Sequence, residues 1–167
     1  MQFATFHDLE DQSIFITGGG AGIGADLTKG FLSQGAKVTF IQRSNPEKFL
    51  IECKGIYKHE PSFLACDVTN TKELKTALRT TAEKQGPISV LVNNAANDTR
   101  HTLGEFTSEQ WDKTMDVNLK PHFFATQEVV EGMKKNGGGS IINFSSISYM
   151  MGNEGYPAYA TAKSAIT

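Results

Sequence analysis

A tyrosine and a lysine four residues apart, Tyr159 and Lys163, are the pair in this sequence whose types and spacing most clearly suggest chemistry. Pro157 precedes them and is a residue that commonly opens a helix, and residues i and i+4 of a helix share one face. A free tyrosine loses its proton at about pH 10, but a neighbouring ammonium stabilises the phenolate and lowers the pKa of the hydroxyl. The spacing therefore predicts an acid/base pair that works near neutral pH.

By itself Tyr-x-x-x-Lys is a common pattern on helices, so its meaning depends on the elements that would position it. Short apolar runs rich in β-branched and aromatic residues recur along the chain, and segments with helical spacing lie between them. We predict five buried strands, at "SIFIT" from Ser13, "KVTFI" from Lys37, "SFLAC" from Ser62, "ISVLV" from Ile88 and "SIINF" from Ser140. Strands that alternate with helices predict a parallel sheet covered on both sides, which is a doubly wound α/β domain of the Rossmann-like three-layer type.

The helices that join these strands are predicted from apolar residues three or four positions apart. The predicted buried faces are Ile23, Leu27 and Phe31 after the first strand, Leu74, Ala77 and Leu78 before the fourth, and Trp111, Met115 and Leu119 after the fourth. In sheets of this kind ligands bind beyond the carboxyl ends of the strands. We therefore expect the functional side chains to follow directly after each strand.

The first strand is followed by "TGGGAGIG", which leads directly into a helix. Glycines at Gly18, Gly22 and Gly24 allow a tight turn and a close approach of the backbone to a pyrophosphate. The helix N-terminus adds free N–H groups and positive dipole character. The loop predicts a dinucleotide site, with Gly18, Gly22, Ile23 and Gly24 as contacts.

The glycine spacing is T-G-x-x-x-G-x-G rather than the commoner G-x-G-x-x-G. Together with "NNAA" from Asn93 to Ala96, and with Ser146 thirteen residues before Tyr159, it resembles the short-chain dehydrogenase/reductase family. That resemblance implies a nicotinamide cofactor. It also implies an oxidoreductase that moves a hydride between this cofactor and a secondary alcohol or carbonyl.

The end of the second strand bears on which nicotinamide cofactor is used. An acidic residue at this place would bind the adenosine ribose and favour NAD, but this chain has Gln42 followed by Arg43. A guanidinium suits a 2′-phosphate, so we expect a preference for NADP, with NAD as the alternative.

The ends of the third and fourth strands carry further cofactor contacts. The resemblance implies that Asp67 and Val68 lie against the adenine, and that Asn94 and Ala95 support the cofactor. A second interpretation remains open for Asp67, because an aspartate before "TNTKEL" is also suited to capping the following helix.

The resemblance assigns a catalytic set of four residues. It implies that Ser146 hydrogen-bonds the reacting oxygen, that Tyr159 exchanges its proton, and that Lys163 tunes Tyr159 and holds the nicotinamide ribose. Tyr159 and Lys163 therefore count as cofactor contacts too. Asn118, in "DVNLK" on a long helix after the fourth strand, would hold a water that relays protons to Lys163.

The substrate is suggested by a narrower resemblance. The stretch from "NNAANDTRH" to "NFSSIS" resembles bacterial aldose 1-dehydrogenases, which oxidise the anomeric hydroxyl of a cyclic sugar to a lactone. The polar residues Asn97, Asp98, Arg100 and His101 could bind sugar hydroxyls or form a solvated loop. The alternative activity is that of 3-oxoacyl-carrier-protein reductase, because "MGNEGYPAYATAK" is similar to that enzyme's approach to its tyrosine.

Composition excludes several other classes of function. With 16 basic and 18 acidic residues and a net charge of -2, the chain lacks the basic stripe that nucleic acid requires. The short apolar runs and the N-terminus predict neither a membrane span nor a signal segment, so we expect a cytoplasmic protein. Cys53 and Cys66 lack metal-like spacing and read as reduced packing residues, and we predict no metal site.

Length adds a last expectation. The 167 residues suit one domain, 1–167. The resemblance covers the whole chain but only about the first two thirds of a usual family member. We therefore expect a domain truncated after the fifth strand and the start of the following helix, and a homo-oligomer for a full-length version. An inactive nucleotide-binding fragment is the alternative of another class.

Overall fold

A computed structural model describes the fold of residues 4–167. Within these residues a parallel sheet has the strand order β3-β2-β1-β4-β5. The strands are β1 Ser13–Thr17, β2 Lys37–Gln42, β3 Ser62–Ala65, β4 Ile88–Asn93 and β5 Ser140–Asn143. This arrangement confirms the predicted doubly wound α/β fold. The strand order changes direction between β1 and β4, and sheets of this kind open a crevice for ligands at that point.

Helices cover both faces of the sheet. They are α1 Gly22–Ser33, α2 Glu47–Cys53, α3 Thr71–Gln85, α4 Ser108–Asn118, α5 Lys120–Lys135 and α6 Pro157–Ser164. Side chains alternate across β1, so Ile14 and Ile16 pack with α1 and α2 while Phe15 packs with α3 and α5. Each face of the sheet therefore has its own apolar layer. Cys53 and Cys66 are free and buried within these layers, as predicted.

Burial differs between the central and the outer strands. Every residue of β1 is buried, and β2 and β4 are buried along most of their length. The prediction of five buried strands is wrong for β3 and β5, which are half-buried or exposed at each position. Within residues 4–167 each of these outer strands has one neighbour in the sheet, and this explains the exposure.

The buried face of α1 agrees only in part with the prediction. Gly24, Thr28 and Leu32 are buried, whereas Ile23 is 63% exposed. The reason is a close tertiary contact, since a Cβ atom on Gly24 would lie 1.9 Å from the Gly18 carbonyl oxygen. In addition, the Thr28 hydroxyl donates to the Gly19 carbonyl at 2.8 Å. Leu27 and Phe31 are partly buried against the apolar layer, as predicted, while contact with the glycine loop buries Gly24 in place of Ile23.

The segment after β4 also differs from the prediction. The expected long helix is two helices, because Leu119 leaves the helical conformation at φ −127° and ψ −55°. Asn118 is the last residue of α4 and is fully buried, while Trp111 on the predicted apolar face is 42% exposed. At the end of α4 the Asn118 amide meets backbone groups of Asn97, in the segment after β4, and of Thr114.

Candidate active site

A cavity of about 1010 Å³ opens beyond the carboxyl ends of β1, β2 and β4. All predicted cofactor contacts outside α6 line it: Gly18, Gly22, Ile23, Gly24, Arg43, Asp67, Val68, Asn94 and Ala95. Tyr159 instead lines a second cavity of about 220 Å³, and Asn97 and Val117 line both. The structure therefore brings the tyrosine to the border of the large cavity. Lys163 is buried in the protein interior.

The glycine loop gives the large cavity one wall suited to phosphate. Gly18 has φ +70°, a conformation that favours glycine. The start of α1 follows Ala21, which offers no side-chain cap to the first N–H groups of the helix. Residues 21–24 line the cavity, so these groups are placed to bind an anion. The residues present thus fit the pyrophosphate of a dinucleotide.

Asn94 supports this loop through its side chain. Its Nδ2 donates to the carbonyls of Thr17 at 3.0 Å and Gly18 at 3.2 Å. The Thr17 hydroxyl in turn accepts from the backbone N–H groups of Asn94 and Ala95, both at 2.9 Å. The Asn94 amide nitrogen is therefore engaged with the protein, and the side chain supports the loop that forms the cavity wall.

Asp67 lies at the end of β3 and makes local contacts. Its Oδ1 accepts from the backbone N–H of Thr69 at 2.9 Å and from the Thr69 hydroxyl at 2.8 Å. The residue that caps α3 is Asn70, which accepts from the N–H groups of Lys72 and Glu73. The interpretation of Asp67 as the helix cap is therefore wrong.

The side chains of Arg43 and Gln42, at the end of β2, make different contacts. The Arg43 side chain is 77% exposed, and its Nη1 lies 3.9 Å from Asp67 Oδ2. Gln42 Oε1 accepts from the N–H of Gly20 at 3.0 Å, which ties the strand end to the glycine loop. Sequence reasoning treated Gln42 only as the absence of an acid. Its position beside the loop was the signal for this structural contact.

Lys163 is the most deeply buried charged group of the site, with 1% of its surface exposed. Its Nζ donates to the carbonyl of Phe144 at 2.6 Å and lies 5.7 Å from the centre of the Tyr159 ring. The two side chains share one face of α6, as predicted. Burial lowers the pKa of Lys163 from 10.5 to about 8.

Tyr159 does not show the lowered pKa that the sequence predicts. Burial raises the pKa of its hydroxyl, Asp98 and Tyr156 raise it further, and the neighbouring Ser146 hydroxyl opposes this shift. The expectation that Lys163 dominates is therefore wrong for this structure. The reason is geometric, because the ammonium lies over the ring and donates its hydrogen bond to Phe144.

Ser146 stands at the start of a short 3₁₀ turn after β5, Ile147–Tyr149. Its hydroxyl donates to Ser148 Oγ at 2.9 Å and accepts from the Ser148 N–H at 3.2 Å. Ser148 is buried, so this pair fixes the direction of the Ser146 side chain. The serine is close enough to Tyr159 to influence its pKa.

Asn118 uses both ends of its amide on the backbone. Oδ1 accepts from the N–H of Asn97 at 2.8 Å, and Nδ2 donates to the carbonyls of Asn97 and Thr114, both at 3.0 Å. The side chain is fully buried. It therefore fastens the segment after β4 to α4, and a water-holding role for the amide would require these bonds to break.

Arg100 and His101 were predicted either to bind sugar hydroxyls or to form a solvated loop, and the structure shows them in contact with the start of α6. The Arg100 guanidinium lies 4.1 Å from the centre of the Tyr156 ring, and His101 meets the N–H of Ala158. These contacts join residues more than fifty positions apart. Spacing in the sequence gave no signal for them.

Comparison with known proteins agrees with this geometry. Residues 12–167 match the family model described as short chain dehydrogenase. The chain is 42% identical to a probable galactose dehydrogenase of Rhizobium meliloti over 164 residues, which are 96% of this chain and 64% of that protein. It is 41% identical to D-xylose 1-dehydrogenase of Caulobacter vibrioides over 167 residues, 99% of this chain and 66% of that protein.

A solved structure shares the fold. Ligand-free aldohexose dehydrogenase of Thermoplasma acidophilum superposes with a TM-score of 0.84 at 30% identity, over 96% of this chain and 59% of that one. This chain thus spans less than two thirds of the length of these relatives. Among residues 4–167 no helix is both long and apolar enough to cross a bilayer. The same residues contain no cluster of His, Cys, Asp or Glu suited to a metal ion.

Proposed function

This chain belongs to the short-chain dehydrogenase family, and on that premise we propose that it serves an NAD(P)-dependent oxidation of an aldose at its anomeric carbon. One observation carries the proposal. Tyr159 lines a cavity that shares Asn97 and Val117 with the large cavity containing the glycine loop. A hydroxyl held at Tyr159 would therefore lie beside the site suited to a dinucleotide.

The large cavity would hold the cofactor through residues of four strand ends. The loop from Gly18 to Gly24 suits the pyrophosphate, while Asp67 and Val68 suit the adenine end. Arg43 is exposed on the cavity wall and can bind a 2′-phosphate, which supports NADP over NAD. When bound, the nicotinamide would accept the hydride from the carbon that carries the reacting hydroxyl.

The residues of this chain would hold and move the proton of that hydroxyl. Ser146 would bind the substrate oxygen, with its own direction fixed by Ser148. With its own proton first released to solvent, the Tyr159 phenolate would take up the proton of the substrate hydroxyl as the hydride leaves and the carbonyl forms. Lys163, with a pKa of about 8, would be mostly charged at neutral pH and would stabilise the phenolate once the proton leaves.

The sugar substrate is supported by the cavity beside Tyr159 and by the relatives. The lining of this cavity includes the polar side chains of Asn97, Thr99, Gln110 and Thr114, which suit a ligand rich in hydroxyl groups. Two relatives above 40% identity are described as a galactose and a xylose dehydrogenase. An aldose is therefore the substrate class we propose.

The test is a panel of aldoses with NADP and with NAD, set against reduction of an acetoacetyl thioester with NADPH. Turnover of an aldose that is lost in Tyr159→Phe would support the proposal. Reduction of the thioester alone would replace it with the 3-oxoacyl reductase activity. Binding of dinucleotide with neither turnover would identify these 167 residues as a nucleotide-binding unit.

A further inference from the structure

The ring of His101 is held between the segment after β4 and the start of α6. Its Nδ1 lies 3.0 Å from the carbonyl of Thr99, and its Nε2 lies 3.1 Å from the backbone N–H of Ala158. A carbonyl accepts and an amide donates, so only the neutral ring with its proton on Nδ1 satisfies both partners. The ring also stacks on Phe106, with centroids 3.9 Å apart.

The contact with Ala158 supplies a hydrogen-bond acceptor for the first turn of α6, which α6 itself lacks. Its own N-cap residue, Tyr156, makes no side-chain hydrogen bond to the first turn. The first N–H groups of a helix have no partner within the helix, and a side-chain acceptor for one of them stabilises its start. His101 provides that acceptor from 57 residues away in the sequence. The N–H group that donates to His101 belongs to Ala158, the residue directly before Tyr159.

Arg100 adds a second contact at the same place. Its guanidinium lies 4.1 Å from the centre of the Tyr156 ring and donates to the carbonyl of Glu154 at 3.2 Å. The backbone N–H of His101 donates to the carbonyl of Gly155 at 2.8 Å. Tyr156 is buried and meets Tyr159 edge to face, with centroids 5.6 Å apart. The start of α6 is therefore held at both its backbone and its side chains.

The segment after β4 is also fixed at its N-terminal end, at Asn97. Asn97 is bonded through its N–H and carbonyl to the buried amide of Asn118, and its Oδ1 accepts from the N–H of Thr99 at 3.0 Å. The five residues from Asn97 to His101 thus connect the end of α4 with the start of α6. With both ring nitrogens of His101 in use, the side chain has no free donor for a sugar.

We propose that His101 is a positioning residue for the Tyr159 and Lys163 pair, acting as the acceptor cap of α6, with Arg100 holding Tyr156 beside it. The consequence for catalysis rests on the proposed function. The cap itself is a property of the folded chain and can be measured without turnover.

The test compares two amide variants of similar polarity. In His101→Gln the side-chain oxygen can reach the position of Nε2 and accept from Ala158. In His101→Asn the side chain reaches only as far as Nδ1, so the bond to Thr99 can remain while the cap is lost. We expect hydrogen exchange over residues 158–161 to rise about tenfold in His101→Asn and to stay near wild type in His101→Gln. Exchange in α3 should not change in either variant.

Equal exchange of α6 in wild type and His101→Asn would overturn the proposal. If His101→Asn does not fold, nitrogen NMR of the imidazole in the wild-type chain decides the question. A neutral ring protonated at Nδ1 is expected, and a ring protonated at Nε2 would overturn the cap. Where turnover is measurable, His101→Asn should lower kcat about ten- to a hundredfold with the KM for the dinucleotide unchanged, and His101→Gln should restore it. Absence of turnover in wild type would count against the proposed function alone, because the exchange and NMR results do not depend on it.

Discussion

The ammonium of Lys163 donates a 2.6 Å hydrogen bond to the backbone carbonyl of Phe144, the residue that directly follows β5. The lysine is almost completely buried, and its pKa falls to about 8 as a result. This bond joins α6 to the end of the strand that leads to Ser146. It therefore sets the distance between two parts of the proposed catalytic set, at the cost of a charge inside the protein.

Stability should depend on pH through Lys163. Its pKa is about 8 in the folded chain against an ordinary value of 10.5, so between these values the unfolded chain binds more protons. The free energy of unfolding should therefore rise with pH over this window, by about 1.4 kcal/mol for each unit of pKa difference. Urea unfolding at several pH values would measure the rise for wild type against Lys163→Met, which cannot titrate. Lys84→Met, at an exposed position of α3, is the control and should follow wild type; parallel curves for Lys163→Met and wild type would contradict the prediction.

Tyr159→Phe removes the hydroxyl and leaves the ring in place. We expect aldose oxidation to fall by a factor of about 10² to 10⁴, since the proton acceptor is lost. Dinucleotide affinity should change little, because Tyr159 is not part of the glycine-loop wall. Steady-state kinetics and a binding titration would check both parts. Tyr57→Phe, in the apolar layer of α1 and α2, is the matched control and should retain activity. Retained turnover in Tyr159→Phe would remove the tyrosine from the proposed mechanism.

Arg43→Gln should separate the two nicotinamide cofactors. The exposed guanidinium can contact a 2′-phosphate, which NADP has and NAD lacks, and a hydrogen bond to a charged group contributes about 1.5–3 kcal/mol. The Kd for NADP should therefore rise about tenfold or more while the Kd for NAD stays constant. Arg79→Gln, whose guanidinium binds Glu128 away from the cavity, should change neither value. An equal loss for both cofactors in Arg43→Gln would point to a general effect on the cavity wall.

Asn118→Ala should destabilise the fold as well as the site. It leaves the N–H and carbonyl of Asn97 and the carbonyl of Thr114 without their buried partner. Each unsatisfied buried group costs about 1–3 kcal/mol, and because these three hydrogen bonds are only part-buried we expect the lower end of that range for each, a total loss of about 3 kcal/mol in urea unfolding. Asn136→Ala, at the exposed end of α5, should cost less than about 0.5 kcal/mol. A small loss for Asn118→Ala would show that the segment after β4 is held by other contacts.

The sequence predicted those features that depend on local pattern. The apolar runs located the strands because each central strand is buried on both faces, and the glycine spacing located the large cavity because it follows β1 directly. The pairing of Tyr159 with Lys163 on one face followed from helical periodicity alone.

The features that sequence reasoning missed depend on contacts between distant residues. Gly24 is buried against Gly18 where Ile23 was expected, and an apolar pattern cannot report the absence of a side chain. The raised pKa of Tyr159 comes first from burial of its hydroxyl in the folded chain, which spacing in the sequence does not determine. His101 and Ala158 are brought together only by the folded chain.

The Asn94 amide has a consequence for how the molecule assembles. Its bonds to Thr17 and Gly18 join residues 77 and 76 positions apart, so the large loop between them must close before they can form. During synthesis the glycine loop therefore remains without this support until β4 has emerged and paired with β1. Any ligand of the glycine loop would therefore meet a supported loop only after β4 has paired with β1.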